Sequence, residues 1–220
     1  MAVVVVLAVA NVMSNRVLPS WAYVPWNVAV AVAVVLLARR AVGFTQMGLG
    51  EWKRGAAWGL TLFVLTVGVL ALAVAMPAFN EMYHDRRVHG GAGEWLYQAF
   101  VRIPFGTALL EEVAFRAVLP ALFAVRWGVL RGCVAASVLF GLWHVLPAWN
   151  LNSVNPTAEA VFGSGTAGVV AAVVFGVVGT TVAGLWWCWV RYRARSVLAT
   201  VIAHVATNSV AYTIAFLVAR

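Results

Sequence analysis

Charge is what this sequence has least of. Charged residues fill 10% of its 220 positions, hydrophobic ones fill 64%, and the mean hydropathy is +0.92. An ordinary soluble domain is about a quarter charged, so that class is excluded. Lysine occurs once, at Lys53, and acidic residues number seven against fifteen basic ones, a net charge of +8. The basic residues fall in short clusters between apolar runs, with no groove-reading or base-stacking motif among them. That excludes nucleic acid as a partner and leaves the lipid bilayer. The preference for arginine over lysine, with abundant alanine and valine, fits a GC-rich bacterial genome and so a bacterial cytoplasmic membrane. The two cysteines, Cys133 and Cys188, lie far apart in apolar runs. They read as buried thiols, and no CxxC or other metal spacing accompanies them.

What is present is a series of seven apolar segments, at roughly 2–14, 21–38, 56–78, 104–124, 131–148, 166–190 and 196–219. Most can cross about 30 Å of hydrocarbon at ~1.5 Å per residue. Backbone amides in lipid must bond within their own segment, so the segments are helices. The fold class is therefore all-α: a single transmembrane domain over 1–220, a polytopic helical bundle of about seven spans. Residues 1–95 supply N-terminal spans and a connector, and 96–220 the motif-bearing core. The start, MAVVVVLAVANVMSNR, lacks a basic leading region and a small-residue cleavage site. It reads as a short first span rather than a removable signal peptide.

Between spans, GFTQMGLGEWKRG (43–55) reads as an interfacial connector. Loop 149–165 is neutral and rich in turn formers. Loop 80–95 is the most polar stretch, and its Glu81, His84, Asp85 and His89 read as solvated loop residues. Under seven spans, Arg39, Arg40, Lys53, Arg54, Arg126, Arg131, Arg191, Arg193 and Arg195 share one side, against Arg16, Arg86, Arg87 and Arg220 on the other, with Arg102 near it. The richer side is expected in the cytoplasm, which puts the N-terminus inside and the C-terminus outside.

Within this apolar chain, LLEEVAFRAVLPALF (109–123) carries two adjacent glutamates and an arginine. A carboxylate at the bilayer centre costs about 2.5–3.5 kcal/mol on insertion scales, so the pair needs a purpose. Pro104 suits a first helical turn, placing the glutamates about two turns in. Glu112 and Arg116 stand at i,i+4 and can neutralise each other. Glu111 lies ~100° round the helix and must find another polar partner. The fifth segment offers Phe140 and His144 at i,i+4, and the seventh His204 and Asn208. Intramembrane ionisable groups face the bundle interior or a water-filled cavity, so a shared polar site between three C-terminal-half helices is expected. Counted from the segment ends at ~1.5 Å per residue, Glu111 and His144 fall nearer the non-cytoplasmic surface, and His204 near mid-membrane.

The ordered set Glu111-Glu112-x-x-x-Arg116, Phe140-x-x-x-His144 and His204-x-x-x-Asn208 resembles the three motifs of the CAAX protease and bacteriocin-processing family of intramembrane endopeptidases. The resemblance spans about residues 100–215. One departure is Ala117, where the family often has glycine, and it removes no catalytic group. The resemblance implies peptide-bond hydrolysis, with Glu111 and His144 activating water and His204 and Asn208 stabilising the oxyanion. Glu112, Arg116 and Phe140 would be supporting residues, with Arg116 free either to position Glu112 or to hold a substrate carboxylate. It implies a peptide or membrane-protein substrate and a metal-free glutamate mechanism. Zinc is the alternative, with Glu111, His144 and His204 as ligands, although no HExxH is present. Rival readings are a catalytically silent scaffold or immunity-type partner of the same fold, and a proton-coupled transporter subunit.

Overall fold

The structure is a computed structural model that describes residues 1–76, 79, 81–86, 88, 90–149 and 151–220, the side chain of Glu81 excepted. All regular structure among the described residues is helical. Five helical runs are long and apolar enough to cross a membrane, and a shorter one, α1 (Ala2–Val17), precedes them. The five are α2 (Ser20–Ala38), Phe44–Ala75, Ala92–Ala148, Gly165–Ala194 and Leu198–Val218. The protein is thus an all-α, integral membrane bundle. Phe44–Ala75 divides into a one-turn helix α3 (Phe44–Met47) and a long helix α4 (Trp52–Ala75).

Ala92–Ala148 does not run straight. Gly128 has φ 78° and ψ 164°, a conformation that a side chain would strain. Beyond it the chain doubles back, and a Cβ on Gly132 would stand 3.0 Å from the Pro120 carbonyl oxygen and the Ala124 amide. The run is therefore two antiparallel helices, α5 (92–127) and α6 (129–148). Gly165–Ala194 is α7 and Leu198–Val218 is α8. The stretch expected as an open loop at 149–165 holds two short helices, Leu151–Val154 and Pro156–Phe162. Asn155 caps the second by accepting the Ala158 amide at 3.0 Å, with Pro156 in its first turn.

One expectation is corrected here. Pro104 is not in the first turn of its helix. The helix begins at Ala92, and Pro104 lies within a π-helical stretch, Gln98–Ala108. The wider turn carries the ring without ending the helix, so the glutamates stand about five turns in.

Small residues let the helices approach, as is usual where lipid gives no hydrophobic drive to association. Gly59 of α4 lies against Ile202 of α8, so close that a Cβ would stand 2.8 Å from that side chain. Gly141 of α6 fits against Thr181 and the Val177 carbonyl of α7 in the same way. The main apolar cluster joins α1, α2, α5 and α6 around Val34, Leu110, Phe115, Leu119 and Phe140. It seals one flank of the region where the polar side chains gather.

Candidate active site

Glu111 and Glu112 sit on the one α-helical turn of α5 that separates two π-helical stretches, Gln98–Ala108 and Val113–Val118. A third, Ala206–Val210, follows His204 in α8 and carries Asn208. Such π turns occur often at functional sites. Here they widen the helices where their polar side chains must meet.

The structure brings Glu111, Glu112, Arg116, Phe140, His144, His204 and Asn208 into one contiguous cluster. Glu111 is 6% exposed, His204 7%, and Glu112 and Arg116 are both 0%. Glu112 divides its carboxylate: Oε2 lies 3.3 Å from Arg116 Nε, and Oε1 accepts from His204 Nδ1 at 2.8 Å. The intrahelical pair was legible from i,i+4 spacing. The tie to His204, from residues 92 positions apart, was not. The Arg116 guanidinium lies 3.9 Å over the Phe140 ring. With no exposed surface, it is enclosed between Glu112 and that ring.

These contacts fix the histidine tautomers. A carboxylate and a carbonyl oxygen can only accept. His204 Nδ1 therefore carries the proton it donates to Glu112, and His144 Nδ1 carries the one it donates to the Phe140 carbonyl at 2.8 Å. In the neutral imidazoles both Nε2 atoms present lone pairs, and that of His204 then accepts from Asn208 Nδ2 at 3.0 Å.

Glu111 faces both imidazoles. Its Oε2 lies 4.0 Å from His144 Nε2 and 3.9 Å from His204 Nε2, too far for direct hydrogen bonds. This oxygen is buried and has no hydrogen-bond partner among the described residues. Its mate, Oε1, accepts from Trp143 Nε1 at 3.1 Å. Trp143 is the partner Glu111 required, and the sequence reading missed it. It stands beside His144, but only the packing of α6 on α5 turns its indole to the carboxylate. Asn11 of α1 in turn donates to the Trp143 carbonyl at 3.0 Å, so the first helix supports the cluster as well.

Glu111, His144 and His204 stand at one level of the bundle, since Glu111 Oε2 is within 4.0 Å of both imidazoles. Because α5 starts at Ala92 rather than near Pro104, Glu111 lies ~28 Å along its helix at ~1.5 Å per residue. Asn208 also lines a cavity of about 670 Å³ together with Ile103, Tyr212, Leu70, Met82 and Tyr83. The cluster thus has a route outward between α4, α5 and α8.

As arranged, the donors do not fit zinc. A tetrahedral zinc with bonds of ~2.0–2.1 Å holds its ligands ~3.3 Å apart. The Glu111–imidazole separations are more than half an ångström wider, and Asn208 Nδ2 already stands 3.0 Å from His204 Nε2. No group of three or more His, Cys, Asp or Glu among the described residues is arranged to hold a metal ion. The loop residues His89 and the Glu81 side chain lie outside the described residues.

Residues 93–210, more than half of the chain, match the family model for type II CAAX prenyl endopeptidase Rce1-like proteins. No curated protein and no solved structure matches the chain.

Proposed function

Because the chain belongs to the type II CAAX prenyl endopeptidase Rce1-like family, we propose that it is an intramembrane endopeptidase in which Glu111 and His144 activate the attacking water. One observation carries this reading: the unpartnered, buried Glu111 Oε2 stands about 4 Å from two imidazole nitrogens. A gap of that width between polar atoms suits a bridging water. Such a water can donate one proton to Glu111 Oε2 and the other to the His144 lone pair, leaving its oxygen free to attack.

In the proposed reaction, the water oxygen bonds to the scissile carbonyl carbon as Glu111 takes its proton. The carbonyl electrons move onto oxygen. Asn208, whose amide has a second N–H, donates to that oxyanion. His204 joins as a donor only when its Nε2 gains a proton, and the Glu112 carboxylate at its Nδ1 is the counter-charge for that imidazolium. The C–N bond then breaks as the proton held at Glu111 or His144 passes to the leaving amine. Low dielectric strengthens each of these contacts. Arg116 keeps Glu112 ionised and in place and touches no reacting atom. The cavity beside Asn208 is apolar over most of its wall, which suits a substrate delivered from lipid.

The test is cleavage of a pooled membrane-peptide library by the purified protein and by Glu111→Gln, each with and without a strong chelator. Activity lost in the variant but kept with chelator supports the metal-free reading. Activity lost with chelator and restored by zinc overturns it in favour of a metalloprotease. Equal cleavage by the variant removes Glu111 from the mechanism.

A further inference from the structure

A second buried arginine, outside the catalytic cluster, lies in the last turn of α7. Arg191 is 4% exposed, yet it takes part in none of the ion pairs among the described residues, which join Arg86 to Glu159, Arg116 to Glu112, and the two histidines to the glutamates. Of its five N–H donors, one reaches the Gln46 carbonyl. Its Nε is buried and has no hydrogen-bond partner. A buried charge without a counter-ion is costly.

The surroundings of this guanidinium are shaped around it. Gly48 ends the one-turn helix α3 at φ 71°, and a Cβ there would stand 2.8 Å from Arg191 Nε. The Tyr192 ring lies 4.2 Å beneath the guanidinium carbon. The side chain lines a cavity of about 420 Å³ with two unlike walls. Thr45, Gln46, Arg191 and Tyr192 form a polar wall. Ala121, Ala124, Val125 and Val129, at the α5–α6 hairpin, form an apolar one.

We propose that this cavity binds a phosphate-bearing anion, Arg191 holding the phosphate, and that the source is a phospholipid headgroup whose acyl chain follows the hairpin wall. The guanidinium fork matches phosphate oxygens. Basic pockets between membrane helices at the interfacial level take lipid headgroups. The surrounding turns carry Arg39, Arg40, Lys53, Arg54, Arg193 and Arg195, which draw an anion to this end of the bundle. The apolar wall would be purposeless for free phosphate and is what a lipid chain requires. The proposal is independent of the protease reading, and its test reads binding rather than cleavage.

The full chain, purified in detergent, is exposed to phosphatidylglycerol, to diacylglycerol and to inorganic phosphate. Retained lipid is read by native mass spectrometry and stabilisation by Tm. Phosphatidylglycerol should remain bound to the wild type and to Arg40→Gln, and retention should fall at least tenfold in Arg191→Gln. Val129→Trp, which fills the apolar wall and leaves Arg191 in place, should lose the lipid too, so misfolding of the first variant cannot hide the answer. Diacylglycerol retained as well as phosphatidylglycerol, or lipid retained equally by Arg191→Gln, overturns the proposal. Stabilisation by inorganic phosphate equal to that by lipid, and abolished in Arg191→Gln, keeps the phosphate site but overturns the lipid source.

Discussion

Two buried arginines divide this molecule between them. Arg116 is closed in by its own helix and by α6, with the Glu112 carboxylate on one side and the Phe140 ring on the other. Arg191 stacks on Tyr192 in the same manner, but no carboxylate among the described residues pairs with it, and it lines a cavity. The first is charge-balanced within the chain and serves to hold a glutamate and, through it, a histidine. The second has no carboxylate partner among the described residues, and its proposed partner comes from outside. Burial alone therefore does not identify a working charge. What identifies it is whether its partner is built in.

The largest effect should come from the carboxylate that is left with an oxygen to spare. Glu111→Gln keeps the size of the side chain and an acceptor for Trp143. Cleavage should fall by about 10²–10⁴, the range for losing a general base, while the phosphatidylglycerol retained at Arg191 is unchanged. A drop in lipid retention would show that the two regions are coupled and break the comparison. Next, Arg116→Met should lower stability by about 3–5 kcal/mol, because it strands the buried Glu112 carboxylate. Adding Glu112→Gln should recover most of that loss in a denaturation series. If the double variant is no better than the single, the pair is not the unit described here.

Trp143→Phe is expected to keep the fold and lower kcat about 10- to 150-fold, the value of one hydrogen bond to a charged group at ~1.5–3 kcal/mol. Its KM should move little. An unchanged kcat would reduce Trp143 to a packing residue. Smallest of all, Arg191→Gln in lipid-free detergent should change stability by no more than about 1 kcal/mol, since it strands no carboxylate. A loss as large as that of Arg116→Met would mean that Arg191 has a structural partner and would close the gap between the two arginines.

The helical, membrane-spanning character was legible because hydrocarbon leaves a backbone few choices. The intrahelical pair of Glu112 and Arg116 was legible because i,i+4 spacing places both on one face. Helix ends were harder. Proline usually marks a first turn, but at Pro104 a π-helical stretch carries it inside the helix, and that shifted the expected depth of Glu111. The reversal at Gly128 keeps α5 and α6 antiparallel, at the boundary that the arginines Arg126 and Arg131 had suggested. The links from Glu112 to His204 and from Glu111 to Trp143 left no trace in local spacing. They depend on how three helices rotate against one another.

By itself the sequence determined that this chain is a membrane-embedded helical protein whose scarce polar residues fall in three ordered motifs, because the cost of burying charge in lipid makes each one informative. Only the tertiary structure decided which carboxylate oxygen is satisfied, which imidazole nitrogen faces an acceptor and which buried arginine lacks a counter-ion. Hydrogen bonds are made at particular atoms over tenths of an ångström, and sequence spacing specifies no more than the face of a helix.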